Sequence, residues 1–186
     1  NPEQRLTVTQ DTDVPAGSGL SYSLKIDCTT AESAVATSER LQLVHYIEAQ
    51  NIQHLDYGAG TALTTTLSFW TKSPKTGTHC VSLHAPDGTR SYVREYTIAS
   101  ADTWEEFSVT FPGDASGTIN NNTGIGLHVQ FPLLAGSTFQ VAADGWAAGL
   151  DTATSNQQNI MDNTANNVFF AGVQLEVGSV ATSFEQ

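Results

Sequence analysis

Short runs of alternating apolar and polar residues recur along this 186-residue chain, separated by clusters of Gly, Asn, Asp, Pro and Ser. Alternation with a period of two is typical of half-buried β-strands, and the separating residues are those that turns favour. The pattern predicts ten strands, at Arg5–Gln10, Ser21–Cys28, Glu39–Ile47, Ala62–Lys72, His79–His84, Ser91–Ile98, Glu105–Phe111, Gly126–Phe131, Phe139–Trp146 and Val168–Glu176. We therefore expect an all-β sandwich with little helix.

The run at residues 62–72 indicates which side chains face the interior. Leu67 and Phe69 lie two residues apart and share one face of the strand, whereas Trp70 lies on the opposite face. We therefore expect Phe69 in the core and Trp70 on the outside of the sheet.

Residues 38–49 fit two patterns. Leu41 and Val44 have helical spacing, whereas Leu41, Leu43 and Ile47 alternate as they would in a strand. The pattern alone leaves both open, and the strand at Glu39–Ile47 is our preferred interpretation because of a family resemblance given below.

The length of the chain suits one domain, because a chain of this size can bury one substantial core. Residues 112–124 and 149–167 are polar and rich in turn-forming residues, and we interpret them as long loops of one sandwich rather than as linkers. We predict a single domain over residues 1–186. Because the chain starts with Asn1 and has no initiator Met, we expect it to be a fragment of a longer protein.

The charge balance narrows the choice of partners. Seven Lys and Arg residues against 19 Asp and Glu residues give a formal net charge of −12. A negative surface repels phosphate backbones, so nucleic acid is not an expected partner. The sequence has no apolar run of about 18 residues, so membrane insertion is not expected either.

The sequence contains no motif that predicts an enzyme. It lacks a nucleophile elbow, an H-E-x-x-H motif and a phosphate-binding loop. Glu105 and Glu106 are adjacent, but successive strand residues point to opposite faces, so the two carboxylates cannot act on one bond. We predict a domain without catalytic residues.

Cysteines and histidines also lack a recognisable metal-binding spacing. Cys28 and Cys80 lie in apolar runs, and we expect buried free thiols rather than a disulfide. The five histidines are dispersed, and the sequence gives none of them a partner. His79 and His84 should lie on opposite faces of one strand.

Three blocks of sequence carry a resemblance to a known family. They are GVQLEVGSVATSFE at residues 172–185, TTTLSFWTKS at residues 64–73 and DTWEEFSVTFPGD at residues 102–114. The first block resembles the end of the β-rich terminal domains of bacteriophage and prophage tail-fibre proteins, where the usual wording is G-V-Q-L-E-x-G-x-x-A-T-P-F-E. Ser183 stands where that family usually has Pro.

The resemblance implies a jelly-roll β-sandwich of two antiparallel sheets, of the kind shared with galactose-binding-like and carbohydrate-binding modules. It also implies a non-enzymatic domain on the virion surface, on a tail fibre or a capsid-attached fibre. The resemblance does not name a ligand, and our leading interpretation is a domain that contributes to host attachment by binding a cell-surface glycan such as a polysaccharide. Relatives on fibres are generally homotrimers that contact other virion proteins. Two alternatives stay open: a purely structural trimerisation or capsid-decoration domain, and an accessory carbohydrate-binding module of a secreted hydrolase.

The same fold analogy makes a structural Ca²⁺ ion a candidate cofactor. Jelly-roll carbohydrate-binding modules often hold calcium, which takes about six to eight oxygen ligands. Acidic residues near the two ends of the chain would meet if the first and last strands lie close together. The candidate ligands are Asp11, Asp13, Asp27 and Glu176, with Glu185 as an alternative to Glu176.

Aromatic rings stack on the apolar face of a sugar, so exposed aromatic residues are candidate glycan ligands. Trp146 precedes a polar loop, where exposed aromatic residues tend to serve binding. Trp70 and Tyr57 are further candidates. Trp104 matches the family position that opens a core strand, and we expect it to pack in the structure.

A cationic cluster adds the remaining candidates. Arg90, Tyr92 and Arg94 alternate and therefore share one strand face. The arginines would satisfy sugar hydroxyls there, or they would pair with neighbouring acidic residues such as Asp87 or Glu95.

Overall fold

The computed structural model describes residues 5–185, and strands form most of the regular structure in this range. The strands are β1 (Leu6–Asp11), β2 (Ser23–Cys28), β3 (Arg40–Glu48), β4 (Thr65–Lys72), β5 (Gly77–Ala85), β6 (Arg90–Ile98), β7 (Glu105–Phe111), β8 (Ile125–Ala135), β9 (Trp146–Ala148) and β10 (Asn167–Val177). Short 3-10 helices span Ala49–Leu55, Ser137–Phe139 and Ile160–Asp162. Within residues 5–185, every helix is too short or too polar to cross a membrane.

The strands form two five-stranded antiparallel sheets packed face to face. Sheet A has the order β1-β2-β10-β4-β7, and sheet B has the order β3-β8-β5-β6-β9. The predicted jelly-roll β-sandwich of two antiparallel sheets is confirmed. The segment at residues 38–49, for which a helix was the alternative, contains strand β3.

The core lies between the sheets, where the inward side chains of alternate residues meet. Phe69 of β4 is 0% exposed, and its ring centroid lies 5.1 Å from those of Tyr96 and Phe131. Phe69 therefore joins the two sheets, as the alternation predicts, while Trp70 lies on the outer face of sheet A.

The predicted strand at Phe139–Trp146 is wrong. A 3-10 helix ends at Phe139, and β9 begins only at Trp146. Between them, Asp144 has a left-handed backbone with φ of 68°, which breaks an extended run. The segment packs against sheet B instead: Val141 N donates to the carbonyl of Ala153 at 3.0 Å.

Cys28 and Cys80 are both buried free thiols, as predicted. They lie in different sheets, on β2 and β5. Burial raises the pKa of the Cys80 thiol, so this side chain is a neutral packing residue at neutral pH.

Later segments of the chain cover parts of the two outer faces. The end of the chain crosses the outer face of sheet A, where Thr66 Oγ1 donates to the carbonyl of Gly178 at 2.7 Å. Residues 149–158 cover the β5–β6 half of sheet B, where Cys80, Val93 and Ala153 form a small second cluster of buried apolar residues. The β3 side of sheet B keeps an exposed aromatic residue, Tyr46, which is 56% exposed.

Candidate functional site

The outer face of sheet B concentrates buried polar atoms that lack hydrogen-bond partners. Of eight such side-chain atoms among residues 5–185, five belong to this face and its covering segment: Arg40 Nη1, Gln42 Oε1, Ser82 Oγ, Gln130 Oε1 and Thr152 Oγ1. Leaving a polar group buried and unpaired costs about 1–3 kcal/mol, and native proteins contain few such groups. Their concentration marks the face as a place where a polar ligand or ordered water would bind.

Strand register brings these side chains together from distant parts of the sequence. The even-numbered residues of β3, β8 and β5 point outward, because the odd-numbered residues of these strands supply core side chains. Two adjacent rows across these strands are Tyr46–His128–His84 and Val44–Gln130–Ser82. One row of this face therefore presents aromatic rings, and the next presents mainly an amide and a hydroxyl group.

The aromatic row contains a pair of histidines. The His128 ring centroid lies 4.8 Å from that of Tyr46 and 5.1 Å from that of His84. His84 Nδ1 donates to Ser91 Oγ at 3.0 Å, since the Ser91 hydroxyl proton is directed to the Gly149 carbonyl. The sequence offered no partner for any histidine, and the structure brings His84 and His128 together.

Burial keeps this pair neutral. It lowers the pKa of His84 to about 4, helped by the neighbouring His128 and Arg40. Burial and Arg40 also lower the pKa of His128. At neutral pH both imidazoles therefore offer hydrogen-bonding nitrogens without adding positive charge. By contrast, His79 lies on the inner face of β5 and stacks on Tyr96 at 5.7 Å, so the prediction that His79 and His84 lie on opposite faces is confirmed.

The structure gathers three of the aromatic residues selected from the sequence into a packed cluster. The Trp146 ring centroid lies 5.5 Å from those of both Tyr57 and Tyr92, and Trp146 Nε1 donates to the Pro112 carbonyl at 2.7 Å. Tyr92 is 4% exposed, and burial raises the pKa of Tyr57. Their contacts are those of packing residues, and a glycan-binding role for them stays a prediction.

Arg90 and Arg94 lie beside this cluster, and both form ion pairs. Arg90 Nε donates to Asp114 Oδ2 at 2.5 Å, and Asp114 is 1% exposed. Arg94 Nη1 donates to Asp144 Oδ1 at 2.6 Å. Pairing with acidic residues was the alternative drawn from the sequence, but the partners come from distant loops and not from the neighbouring residues proposed there.

Trp70 lies apart from the other candidates, under the end of the chain. Gly172 has φ of +55°, and a Cβ atom there would come within 3.5 Å of Trp70 and 3.8 Å of Phe184. Gln174 Oε1 accepts from the backbone N–H of Glu185 at 2.9 Å. The closing block that carries the family resemblance thus folds back over sheet A and has a clear structural role.

The candidate calcium ligands have partners of their own. Lys72 forms an ion pair with Asp13, which also accepts from Trp104 Nε1 at 2.9 Å, and Lys25 Nζ lies 3.1 Å from Asp27. The other two candidates are Asp11 and Glu176, which accept from the backbone N–H groups of Asp13 and Thr182. Among residues 5–185, no group of three or more His, Cys, Asp and Glu side chains is placed to hold a metal ion. Calcium binding stays a prediction.

Comparison with known proteins shows likeness in fold only. Neither the models of protein families nor the curated proteins give a match. An exo-β-agarase superposes with a TM-score of 0.50 at 9% identity, over 95% of this chain and 23% of its own. A CBM4 structure gives 0.47 at 13% identity, over 93% of this chain and 78% of its own.

A phage protein is also similar in fold. The enzymatically active domain of tailspike protein 4 from bacteriophage CBA120 gives a TM-score of 0.46 at 13% identity, over 92% of this chain and 18% of its own. This chain therefore spans less than a quarter of the length of the tailspike and of the agarase.

Proposed function

We propose that this protein is a non-enzymatic, glycan-binding domain of a bacteriophage surface fibre that contributes to host attachment. The observation that supports glycan binding is the group of unpartnered polar atoms on the outer face of sheet B, next to the exposed ring of Tyr46. Sugar hydroxyls both donate and accept hydrogen bonds, and the C–H face of a pyranose packs on an aromatic ring. A glycan would therefore hydrogen-bond to the unpartnered polar atoms and pack on the ring of Tyr46.

The fibre role rests on the closing block at residues 172–185, which resembles the end of tail-fibre terminal domains. In such an assembly the domain would be a homotrimer on the virion surface, and its ligand would be a polysaccharide of the host cell. Several weak sites on one particle raise the overall avidity through effective concentration. Millimolar affinity of a single site is therefore compatible with this role. The same face would serve equally in an accessory module attached to a hydrolase.

A second candidate function is purely structural, and one observation favours it. An apolar cleft of about 540 Å³ opens between the sheets at the β3 edge, lined by residues that include Leu43, Leu67 and Leu175. Val173 and Val177 near it are 42% and 50% exposed. Apolar surface of this kind commonly marks a protein contact, so the domain would then serve as a trimerisation or capsid-decoration unit.

Two matched tyrosine variants test the glycan proposal. Tyr46 and Tyr22 are 56% and 55% exposed, but Tyr22 lies in the segment before β2 and not on the proposed face. We expect Tyr46→Ala to weaken binding to host surface polysaccharides roughly tenfold, the loss of one stacking contact. Tyr22→Ala should bind like the unmodified domain, and both variants should keep its thermal stability.

Other outcomes are equally informative. Loss of binding in Trp146→Ala with retention in Tyr46→Ala would move the site to the Trp146 cluster. A folded multimer that binds no polysaccharide in the panel would contradict glycan binding and favour the structural function. Light scattering on the same samples measures whether the domain is a trimer.

A further inference from the structure

Arg40 is unlike every other cationic residue in the described part of the chain. The chain has seven Lys and Arg residues, and six of them form ion pairs: Arg5, Lys25, Lys72, Lys75, Arg90 and Arg94. Among residues 5–185, Arg40 is the cation without a carboxylate partner. In a chain with a formal net charge of −12, an unpaired arginine is not explained by a shortage of acidic residues.

The surroundings of Arg40 leave its charge uncompensated. Its guanidinium carbon lies 4.3 Å from the Phe139 ring centroid, and its Nη1 is buried without a hydrogen-bond partner. The titratable groups that face it across the sheet are His84 and His128, and both feel its positive charge. Burial keeps these imidazoles neutral, and the carboxylates of this face and its covering segment, Glu95 and Asp151, form no ion pair with Arg40.

The unpartnered acceptors near Arg40 make the ligand more specific. Gln42 lies on the same outer face of β3 as Arg40, and Gln130 lies on the adjacent strand β8, opposite Val44, with 0% exposure. Both offer amide oxygens that need a donor. A simple anion would satisfy the arginine but leave these oxygens unpaired, whereas a neutral sugar would satisfy the oxygens but not the charge.

We propose that Arg40, Gln42 and Gln130 form a subsite for a sugar that carries a carboxylate, so that the polysaccharide bound by this domain is acidic. This inference rests on the proposed glycan-binding function. The carboxylate accepts from the planar guanidinium of Arg40, which matches carboxylate geometry. The ring hydroxyls donate to the two amide oxygens, and the C–H face of a further sugar along the polysaccharide packs on the exposed ring of Tyr46, six residues along β3 from Arg40.

The test compares acidic polysaccharides with their carboxyl-reduced forms, which keep the sugar rings and remove the charge. We expect the intact domain to bind the acidic form at least about tenfold more tightly than the reduced form. Arg40→Gln should remove this difference by weakening binding to the acidic form to about the level of the reduced form. Lys25→Gln is the matched control, because it removes one positive charge from the outer face of sheet A and should keep the preference.

A second readout locates the carboxylate and separates a sugar from a free anion. Sodium glucuronate, glucose and sodium acetate are titrated separately, and the imidazole signals of His84 and His128 are followed by NMR. A carboxylate beside Arg40 offsets the charge that disfavours imidazole protonation, so glucuronate should raise both pKa values. Glucose should shift the signals without raising the pKa values, and acetate should act only at much higher concentration. A response to acetate equal to that to glucuronate would identify an anion site that does not recognise sugar.

The outcomes separate the two proposals. Equal binding of acidic and reduced polysaccharides, with no effect of Arg40→Gln, would overturn the acidic subsite and leave glycan binding intact. Absence of binding to both forms, while the Arg40→Gln and unmodified domains are equally folded, would overturn both. If Arg40→Gln destabilises the domain, Arg40→Lys provides the second variant: it keeps the charge but loses the planar fork, and it should retain only part of the preference.

Discussion

The outer faces of the two sheets carry similar polar residues, but these side chains are hydrogen-bonded on sheet A and partly without partners on sheet B. On sheet A, polar side chains are paired by the returning end of the chain: Gln174 accepts from Glu185, and Thr66 donates to Gly178. On sheet B, the amide of Gln130 is 0% exposed, yet its oxygen has no partner. A face with its hydrogen bonds complete adds to stability, whereas an incomplete face gives up stability.

The cations on the two faces differ in the same way. Lys72 on sheet A lies 4.3 Å from the Phe169 ring centroid and pairs with Asp13. Arg40 on sheet B has the same distance to the Phe139 ring but no carboxylate. Both cations contact an aromatic ring. They differ in that Lys72 has a carboxylate partner and Arg40 has none.

Removal of the aromatic ring that contacts the cation on each face should have the largest effect. Phe169 is 6% exposed and contacts Trp104 as well as Lys72, so Phe169→Ala should lower the free energy of unfolding by about 3 kcal/mol. Phe139 is only half-buried, and Phe139→Ala should cost about 1 kcal/mol. Urea unfolding measures both values. Equal losses would show that the two faces contribute alike to stability and would break the comparison.

Acid should destabilise the fold through sheet B. The unfolded chain protonates His84 near its ordinary pKa of 6.5, whereas the folded protein does so only near 4. The free energy of unfolding should therefore fall as the pH falls from about 6.5 to about 4, by about 3 kcal/mol for this residue. Urea unfolding across this pH range measures the decline.

A histidine variant assigns that decline. His84→Gln should flatten the decrease with pH, because the residue that gains a proton on unfolding is gone. His54 is exposed, so His54→Gln should leave the slope as it is. An unchanged slope in His84→Gln would mean that other groups cause the acid sensitivity.

Paired glutamine variants should give smaller effects of opposite sign. Gln130→Leu removes an unpaired buried amide oxygen and also the Nε2 contact with His128 Nδ1 at 3.3 Å, so it should raise the free energy of unfolding by less than about 1 kcal/mol, while weakening polysaccharide binding. Gln174→Leu removes paired groups and should lower the free energy of unfolding by about 1 kcal/mol. Thermal unfolding and a polysaccharide binding assay test both variants. A destabilised Gln130→Leu variant would show that ordered water or packing already satisfies this amide.

Most of the sandwich could be predicted because alternation is a local property. The inward position of Phe69 and the outward position of Trp70 follow from a period of two residues within one strand. The prediction failed at residues 139–146, where an apolar run satisfies its backbone through contacts such as Asp144 N to the Val93 carbonyl. Tertiary contacts there replace the regular ladder, and no local pattern reports them.

The candidate site was less accessible to prediction. The aromatic residues Trp146, Tyr57 and Tyr92 were found by residue type, but their mutual packing depends on loops far apart in the chain. The contact between His84 and His128 was missed. The two residues are 44 positions apart in the sequence, and they become neighbours only because β5 pairs with β8. The signal that the sequence offered was that both histidines lie at even-numbered positions, on the outward side of their strands.

The sequence by itself determined the all-β class, the positions of most strands and the side of each strand that faces the core. These depend on residue type and on a two-residue period, which are local. Only the tertiary structure decided which strands are neighbours, which outer face the end of the chain covers, and which polar groups are left without partners. Those features depend on register and on contacts between residues far apart in sequence, so Arg40 is distinguished from the other cations by its surroundings and not by its sequence context.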